Sequence, residues 1–301
     1  MPFTSGYVTG TTSDPAHYKF LDVVRNFAVA NGWQQILYDG TSANRYVFLR
    51  GPGLTGNDPV WVGIDTYQSV SAGYYNIAVA CANGYLSSQD YYNQPQMKRI
   101  GVPLFYDRVD YWIHVNARRI VFVCKVAQGY YEHGYMGRFI PYASALQLPY
   151  PAFVGGMFGY NSPDGSDILQ TQNYSYTSYH EVPYIGNQYR SGVSGSYNGQ
   201  VYSSFNNKWE CCEKLTLGYL GIKTQGIKPI YNIDLDIIYQ SSSNYQRLPA
   251  GLYGTLDGVY MINSDYDEIY AEDTISIDGV DYIAFPSRNS VEGQYLIKTG
   301  D

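Results

Sequence analysis

The sequence predicts a β-rich α+β fold: an antiparallel sheet with one N-terminal amphipathic helix, plus a smaller C-terminal β unit. Three observations lead there. Tyr is 35 and Gly 31 of 301 residues while only 15% are charged, and Tyr, Val, Ile and Thr suit a half-buried pleated surface better than a helix. A good helical period occurs near the start, in one stretch. After it, short apolar runs follow one another across brief turns, the order expected of an antiparallel sheet with a helix on one face.

The helix is read from SDPAHYKFLDVVRNFAVANGW. Asp14 is the candidate N-cap and Pro15 the first helical residue. Phe20, Val24 and Phe27, flanked by Leu21 and Ala28, form the apolar stripe, and Lys19, Asp22, Arg25 and Asn26 the polar one. Asn31-Gly32 supplies the stop. Strands follow in WQQILYD (33–39), RYVFLRG (45–51), PVWVGIDTY (59–67) and YYNIAVACANGY (74–85), with GTSAN and GPGLTGND as turns.

RVDYWIHVNARRIVFVCKV (108–126) divides at Asn116-Ala117 into two hairpin partners. In the second, Ile120, Phe122, Cys124 and Val126 share one face, and Arg119, Val121, Val123 and Lys125 the other. Residues 120–124 are apolar on both faces, as a central strand covered on each side must be. Arg118 and Arg119 then stand where this strand leaves its turn, at a solvated end. Arginine pairs bidentately with carboxylates, so the pair is expected to face a neighbouring subunit's acidic rim, with an internal salt bridge as the alternative.

Three regions are expected: an N-terminal helix-plus-sheet domain over 1–159, a polar Tyr/Ser/Gly/Asn-rich arm or long loop over 160–208, and a C-terminal β-rich domain over 209–301. The last rests on LTLGYLGI, IYNIDLDIIYQ, LDGVYMIN, TISIDGVDYIAFPS and GQYLIKT, with an Asp-Gly hairpin turn in IDGVD (277–281). The segment YMGRFIPYASALQLPYPAFVGG is expected to be extended, since Pro141, Pro149 and Pro151 disfavour continuous ladder pairing. Its Tyr142, Tyr150 and Phe153 either dock on an adjacent subunit or pack internally; with Arg118 and Arg119 they form the candidate subunit interface.

Charge and motifs narrow the function. The net charge is −7 and the pI about 5.0, without the basic clusters that broad nucleic-acid binding requires. No basic-then-apolar leader opens the chain and no run reaches the length of a membrane helix, so synthesis in a reducing cytoplasm is expected. Cys81 and Cys124 sit in apolar runs as small hydrophobes, and adjacent Cys211-Cys212 lack the second pair of a zinc site. The histidines His17, His114, His133 and His180 are scattered. Asn232, Asp234 and Asp236 share a strand face, read as polar surface rather than a cation site. GPGLTG lacks the GK[ST] ending of a phosphate loop. No catalytic, cofactor-binding or metal-ligating residue is assigned, and an enzyme is not expected.

The segments RYVFLRGPGLTGNDPVWVGIDTY, DYWIHVNARRIVFVCKV, YMGRFIPYASALQLPYPAFVGG and GTLDGVYMIN…AEDTISIDGVDYIAFPS, in this order, resemble blocks of a family of tailed-bacteriophage virion structural proteins encoded among the neck and tail genes. The resemblance spans most of the chain and is weakest over 160–208. It implies a subunit of the virion tail or neck, made in the bacterial host cytoplasm. Such a subunit would form a homo-oligomeric ring or collar at the head–tail neck or upper tail, contacting other neck and tail proteins and fibres. Specific nucleic acid and membrane are not expected partners, nor is any cofactor. A baseplate or tail-fibre module that binds host-surface glycans through tyrosines is the alternative.

Overall fold

The computed structural model describes residues 2–71, 73–156, 187–190, 193–197, 199–203, 207–215, 230–240, 247–262, 269–286 and 294–300. Its strand pairings are all antiparallel. The N-terminal half runs β1 (Phe3–Thr9), α1 (Ala16–Ala30), β2 (Gln34–Asp39), β3 (Tyr46–Gly51), β4 (Val60–Ser69), β5 (Tyr74–Ala82), β6 (Lys98–Val102), β7 (Arg108–Val115), β8 (Arg119–Ala127), β9 (Tyr130–Arg138), β10 (Ile140–Pro141) and β11 (Ala152–Gly155). Then come β12 (Asn187–Arg190), β13 (Val193–Tyr197), β14 (Gly199–Ser203), β15 (Lys208–Leu215), β16 (Ile230–Gln240), β17 (Arg247–Ile262), β18 (Thr274–Ile277), β19 (Val280–Pro286) and β20 (Gln294–Lys298).

Helix α1 begins one residue later than its sequence suggests. Pro15 takes the cap position without a side-chain hydrogen bond, and the Ala16 N–H donates to the Tyr106 carbonyl at 2.7 Å. Asp14 pairs instead with Lys19 at 3.1 Å. The missing side-chain cap costs about 1 kcal/mol. Burial of Phe20, Leu21 and Val24, all fully covered, contributes about 1.5–3 kcal/mol each, so packing decides the helix. Asn31 ends it, followed by Gly32 at φ +90°.

Strands β2 to β6 form a five-stranded meander. Val47, Leu49, Val62, Ile64, Ile77 and Val79 line its inner face and join α1 in one core with Ile113, Ile120, Phe122, Cys124 and Met136 of the next layer. Phe20 meets Phe122 edge-to-face at 5.1 Å between centroids.

That next layer is the start of a large sheet ordered β1-β7-β8-β9-β11-β14-β15-β16-β17-β20-β19-β18. The sheet folds back on itself. Val121, Val123, Tyr135 and Phe153, on the face away from α1, pack against Leu235, Val259, Phe285, Tyr295 and Ile297, and Trp112 of β7 meets Phe285 of β19 at 5.1 Å. Strand β8 is therefore covered on both faces, as its apolar run requires.

Two expectations about organisation need correcting. The C-terminal strands are not a separate unit, because they complete the same sheet and the same core as β8 and β9. Nor is all of 160–208 an arm: β14 is inserted between β11 and β15, with Val201 and Tyr202 buried. Two buried side chains in a five-residue strand leave little aliphatic signal. Residues 157–186, the LTLGYLGI run after Leu215 and the acidic stretch 263–268 lie outside the described residues. The Asp-Gly turn is as expected, with Asp278 at φ 53° and Gly279 at φ 78° joining β18 to β19.

Candidate functional site around the two-arginine turn

The turn between β7 and β8 is built by Asn116. Its side-chain oxygen accepts from the backbone N–H groups of Arg118 at 2.8 Å and Arg119 at 3.0 Å, which fixes a tight bend. Its carbonyl accepts from the Trp33 indole N–H at 2.8 Å, and the Ala117 carbonyl accepts from the Gly53 N–H at 2.9 Å. The segment after α1 and the glycine-rich turn 51–58 are thus both tied to this bend.

Asp257 of β17 completes the cluster. One of its oxygens accepts from Asn116 Nδ2 and from Arg118 Nη2, each at 2.8 Å, with Arg119 Nε 3.6 Å away. Burial alone raises a carboxyl pKa, yet the Arg119 and Arg118 cations and the Asn116 hydrogen bond hold Asp257 below its usual value. Gly258, at φ +72°, brings the β17 backbone against Arg119; a Cβ there would lie 1.8 Å from Arg119 Nη2.

Arg119 is fully buried. Its Nη1 donates to the His114 carbonyl at 3.4 Å and its Nη2 lies 2.9 Å from His114 Nδ1. A guanidinium only donates, so His114 Nδ1 accepts and the ring is neutral. Burial, then the Arg119 charge, pushes the His114 pKa down to about 2.

Neighbouring bonds extend the network. Tyr135 Oη accepts from the Asp257 N–H at 3.3 Å and donates to the Arg138 carbonyl at 2.7 Å. Arg138 reaches Asp58 at 3.4 Å and stacks over Tyr150, 4.9 Å from the ring centroid. Tyr150 Oη donates to the Ala82 carbonyl at 2.5 Å and accepts from the Trp61 N–H at 3.2 Å. Chemically the cluster is a clamp between the N-terminal layers and β17, in which Arg118 and Arg119 share the Asp257 carboxylate.

The structure corrects the expected interface residue by residue. Arg119 cannot face a neighbour because β17 of the same chain lies over it, and Arg118 spends its charge on the same Asp257. Phe153 is fully buried in the second core, and Tyr150 bonds internally. Tyr142 is 55% exposed. It lies on a strap between Phe139 and Pro151 whose ends are fastened: the Phe139 N–H donates to the Pro151 carbonyl, and the Tyr142 N–H to the Tyr253 carbonyl. Phe139 and Leu148 anchor the strap in the core, while Ile140 and Leu146 face outward, Leu146 with 96% exposure. The nearby turn 51–58 presents Leu54, 67% exposed.

The outer face of the five-stranded sheet carries a second group. Trp61 lies near-parallel to Phe48 and to Tyr85, with centroids 6.0 and 5.7 Å apart. Tyr91 sits over Gly63 and donates to Asp65 Oδ1 at 2.9 Å. Asp65 is in turn ion-paired to Arg99. Gln94 pins the loop above through bonds to Leu86, Gln89 and Asp90.

Sequence reasoning missed Asp257, Arg138 and Asn116. The available signal for Asp257 was a carboxylate interrupting the apolar run LDGVYMI. Cys81 and Cys124 are buried free thiols. Among the described residues no group of three or more His, Cys, Asp or Glu comes together to hold a metal ion, and no helix is long and apolar enough to cross a membrane. The side chains of Cys211, Cys212, Asp234 and Asp236 lie outside the described residues. No protein-family model matches the chain, and no curated protein matches it.

Proposed function

We propose that the chain is a non-catalytic structural subunit of a tailed-bacteriophage virion, a ring or collar protein of the head–tail neck or upper tail. One observation carries this reading: the fastened strap holds Ile140, Tyr142 and Leu146 out from a rigid β body. Leu146 stands on the turn closed by the Gln147 and Leu148 N–H groups on the Ser144 carbonyl, and with Ile140 and Tyr142 it offers three apolar side chains of the strap to a partner. The resemblance of its sequence blocks to those of virion structural proteins supports the same reading. The subunit assembles with its own copies and with other neck and tail proteins. Gold-labelled antibody microscopy on particles of the encoding phage tests this. Label just beneath the head supports it, label at the distal tail overturns the neck position, and unlabelled particles overturn the virion reading altogether.

A glycan-binding module is the second reading, favoured by the half-buried Trp61 and Tyr85 rings and the exposed Tyr92. Aromatic faces stack on sugar rings, and the Gln94-locked loop holds them ready. Glycan-array binding lost in Trp61→Ala or Tyr85→Ala would favour it over the first.

A further inference from the structure

Strand β1 ends the large sheet, and its outer side is a row of free backbone groups. The Val115 N–H donates to the Pro2 carbonyl at 3.1 Å and the Gly10 N–H to the Asp107 carbonyl at 2.5 Å. Between these ends the ladder runs without a register shift, from Phe3 opposite His114 to Thr9 opposite Arg108. The even residues of β1 therefore bond to β7, and the odd ones turn their N–H and C=O groups away from it. The Thr9 carbonyl obeys that alternation, accepting from Lys19 Nζ of α1 at 2.8 Å. The backbone groups of Phe3, Ser5 and Tyr7 have no partner among the described residues. Ser5, Gly6 and Tyr7 are exposed, Tyr7 by 60%.

The other edges of the two large sheets are protected. β2 carries a bulge between Gln35 and Leu37. β6 opens with Lys98 and Arg99, and the backbone just after β11 crosses it: a Cβ on Gly156 would lie 2.7 Å from the Gly101 carbonyl. β18 is four residues long. β1 has seven residues, no bulge, no charge and no proline, the devices by which an edge is kept from pairing.

We propose that β1 pairs antiparallel with β1 of a second copy of this chain, about a two-fold axis through Ser5. Self-complementarity selects both occupant and register. Phe3 meets Tyr7 of the other copy, Ser5 meets Ser5 and Tyr7 meets Phe3, so every free group is matched. Thr9, whose carbonyl Lys19 holds, falls outside the paired stretch; an axis through Gly6 would demand that carbonyl for Phe3 of the other copy. The side chains of Phe3, Ser5 and Tyr7 share one face. The axis thus sets an aromatic pair on either side of the serines, a favourable cross-strand combination, and no charge of β1 meets its own image. Phe3 and Trp112 both pack against the second core, and Tyr7 of the other copy extends that aromatic surface. The contact joins copies in pairs and does not rest on the virion reading.

The axis makes Ser5 its own neighbour, about 5.5 Å between Cα atoms in a hydrogen-bonded pair, within the span that a disulfide bridges. Ser5→Cys under mild oxidation is expected to give a covalent dimer joined through position 5 of both copies, identified by mass spectrometry of the joined peptide. Thr9→Cys, exposed on the same strand but distant from the axis, gives none through position 9. Sedimentation of the full chain is the second readout. Wild type self-associates as its concentration rises, and Ser5→Lys, which sets like charges across the axis, weakens association by about tenfold or more while thermal unfolding at low concentration stays unchanged. A wild type that remains monomeric at high concentration overturns the proposal and leaves the edge to a strand of another protein. Association undiminished in Ser5→Lys, or crosslinking as efficient through position 9 as through position 5, puts the contact elsewhere and overturns it too.

Discussion

Removing the Asp257 charge isolates the question of what the two arginines do. Asp257→Asn preserves shape and leaves Arg119, fully buried, without its counter-ion. Breaking a buried pair by neutralising one partner costs about 3–5 kcal/mol, because the other charge stays in a low-dielectric site. Arg119→Met is expected to cost less, about 2 kcal/mol, since Asp257 keeps Arg118 and Asn116, each at 2.8 Å. Combining the two substitutions should fall short of the summed losses by about 1–3 kcal/mol, the coupling of residues in one network. Urea unfolding of the isolated protein, followed by fluorescence of Trp33 beside Asn116 and Trp112 against Phe285, measures all three. If Arg119→Met stays within about 0.5 kcal/mol of wild type, the range of ordinary surface changes, while assembly fails, the clamp is wrong and the arginine serves a neighbour.

Acid should weaken the fold well before its carboxylates titrate. His17 and His133 are held near pKa 3 by burial and His114 near 2, whereas an unfolded histidine takes its proton near 6.5. The unfolded state therefore binds more protons between those values; the stabilisation is complete above pH 6.5 and drains away as pH falls. Between pH 7 and 5 each histidine accounts for about 2 kcal/mol, about 6 kcal/mol together. A urea midpoint flat over that range would contradict it. Gly258→Ala is expected to cost more than Gly279→Ala although both have positive φ. The first drives a Cβ into Arg119 and the second meets open space, so only the backbone term of about 1–2 kcal/mol applies at Gly279; equal losses by thermal unfolding would refute the contact. Leu146→Asp, on the strap, should change stability by less than about 0.5 kcal/mol and abolish incorporation into particles, scored by immunoblot of purified virions.

Much of the architecture was legible because local chemistry decides it. The α1 stripe, the apolar faces of β8 and the Asp278-Gly279 turn each need only a few neighbouring residues to declare themselves. β1 and β6 were not foreseen. β1 has few apolar residues and is held by full-length pairing to β7; β6 is five residues at a sheet edge. For the arginine pair the obstacle was distance. Its carboxylate lies 139 residues away along the chain, and the local sign of Asp257, a carboxylate interrupting the apolar run LDGVYMI, does not say which cation it meets.

The error at Arg119 has a physical lesson in it. The end of an apolar run is not the end of burial. A strand covered on one face can shed its terminal side chains into water. A strand covered on both faces passes between layers that extend beyond its own apolar residues, so its first residue remains inside whatever its chemistry. An arginine at that position must then find its counter-charge within the covering layers, and the layer over that face of β8 is β17, whose Asp257 and Gly258 supply the charge and the space. The apolar run from Ile120 to Cys124 thus carried the information that Arg119 is buried. What it could not carry was the partner, which only the folding of the sheet back onto itself brings within reach.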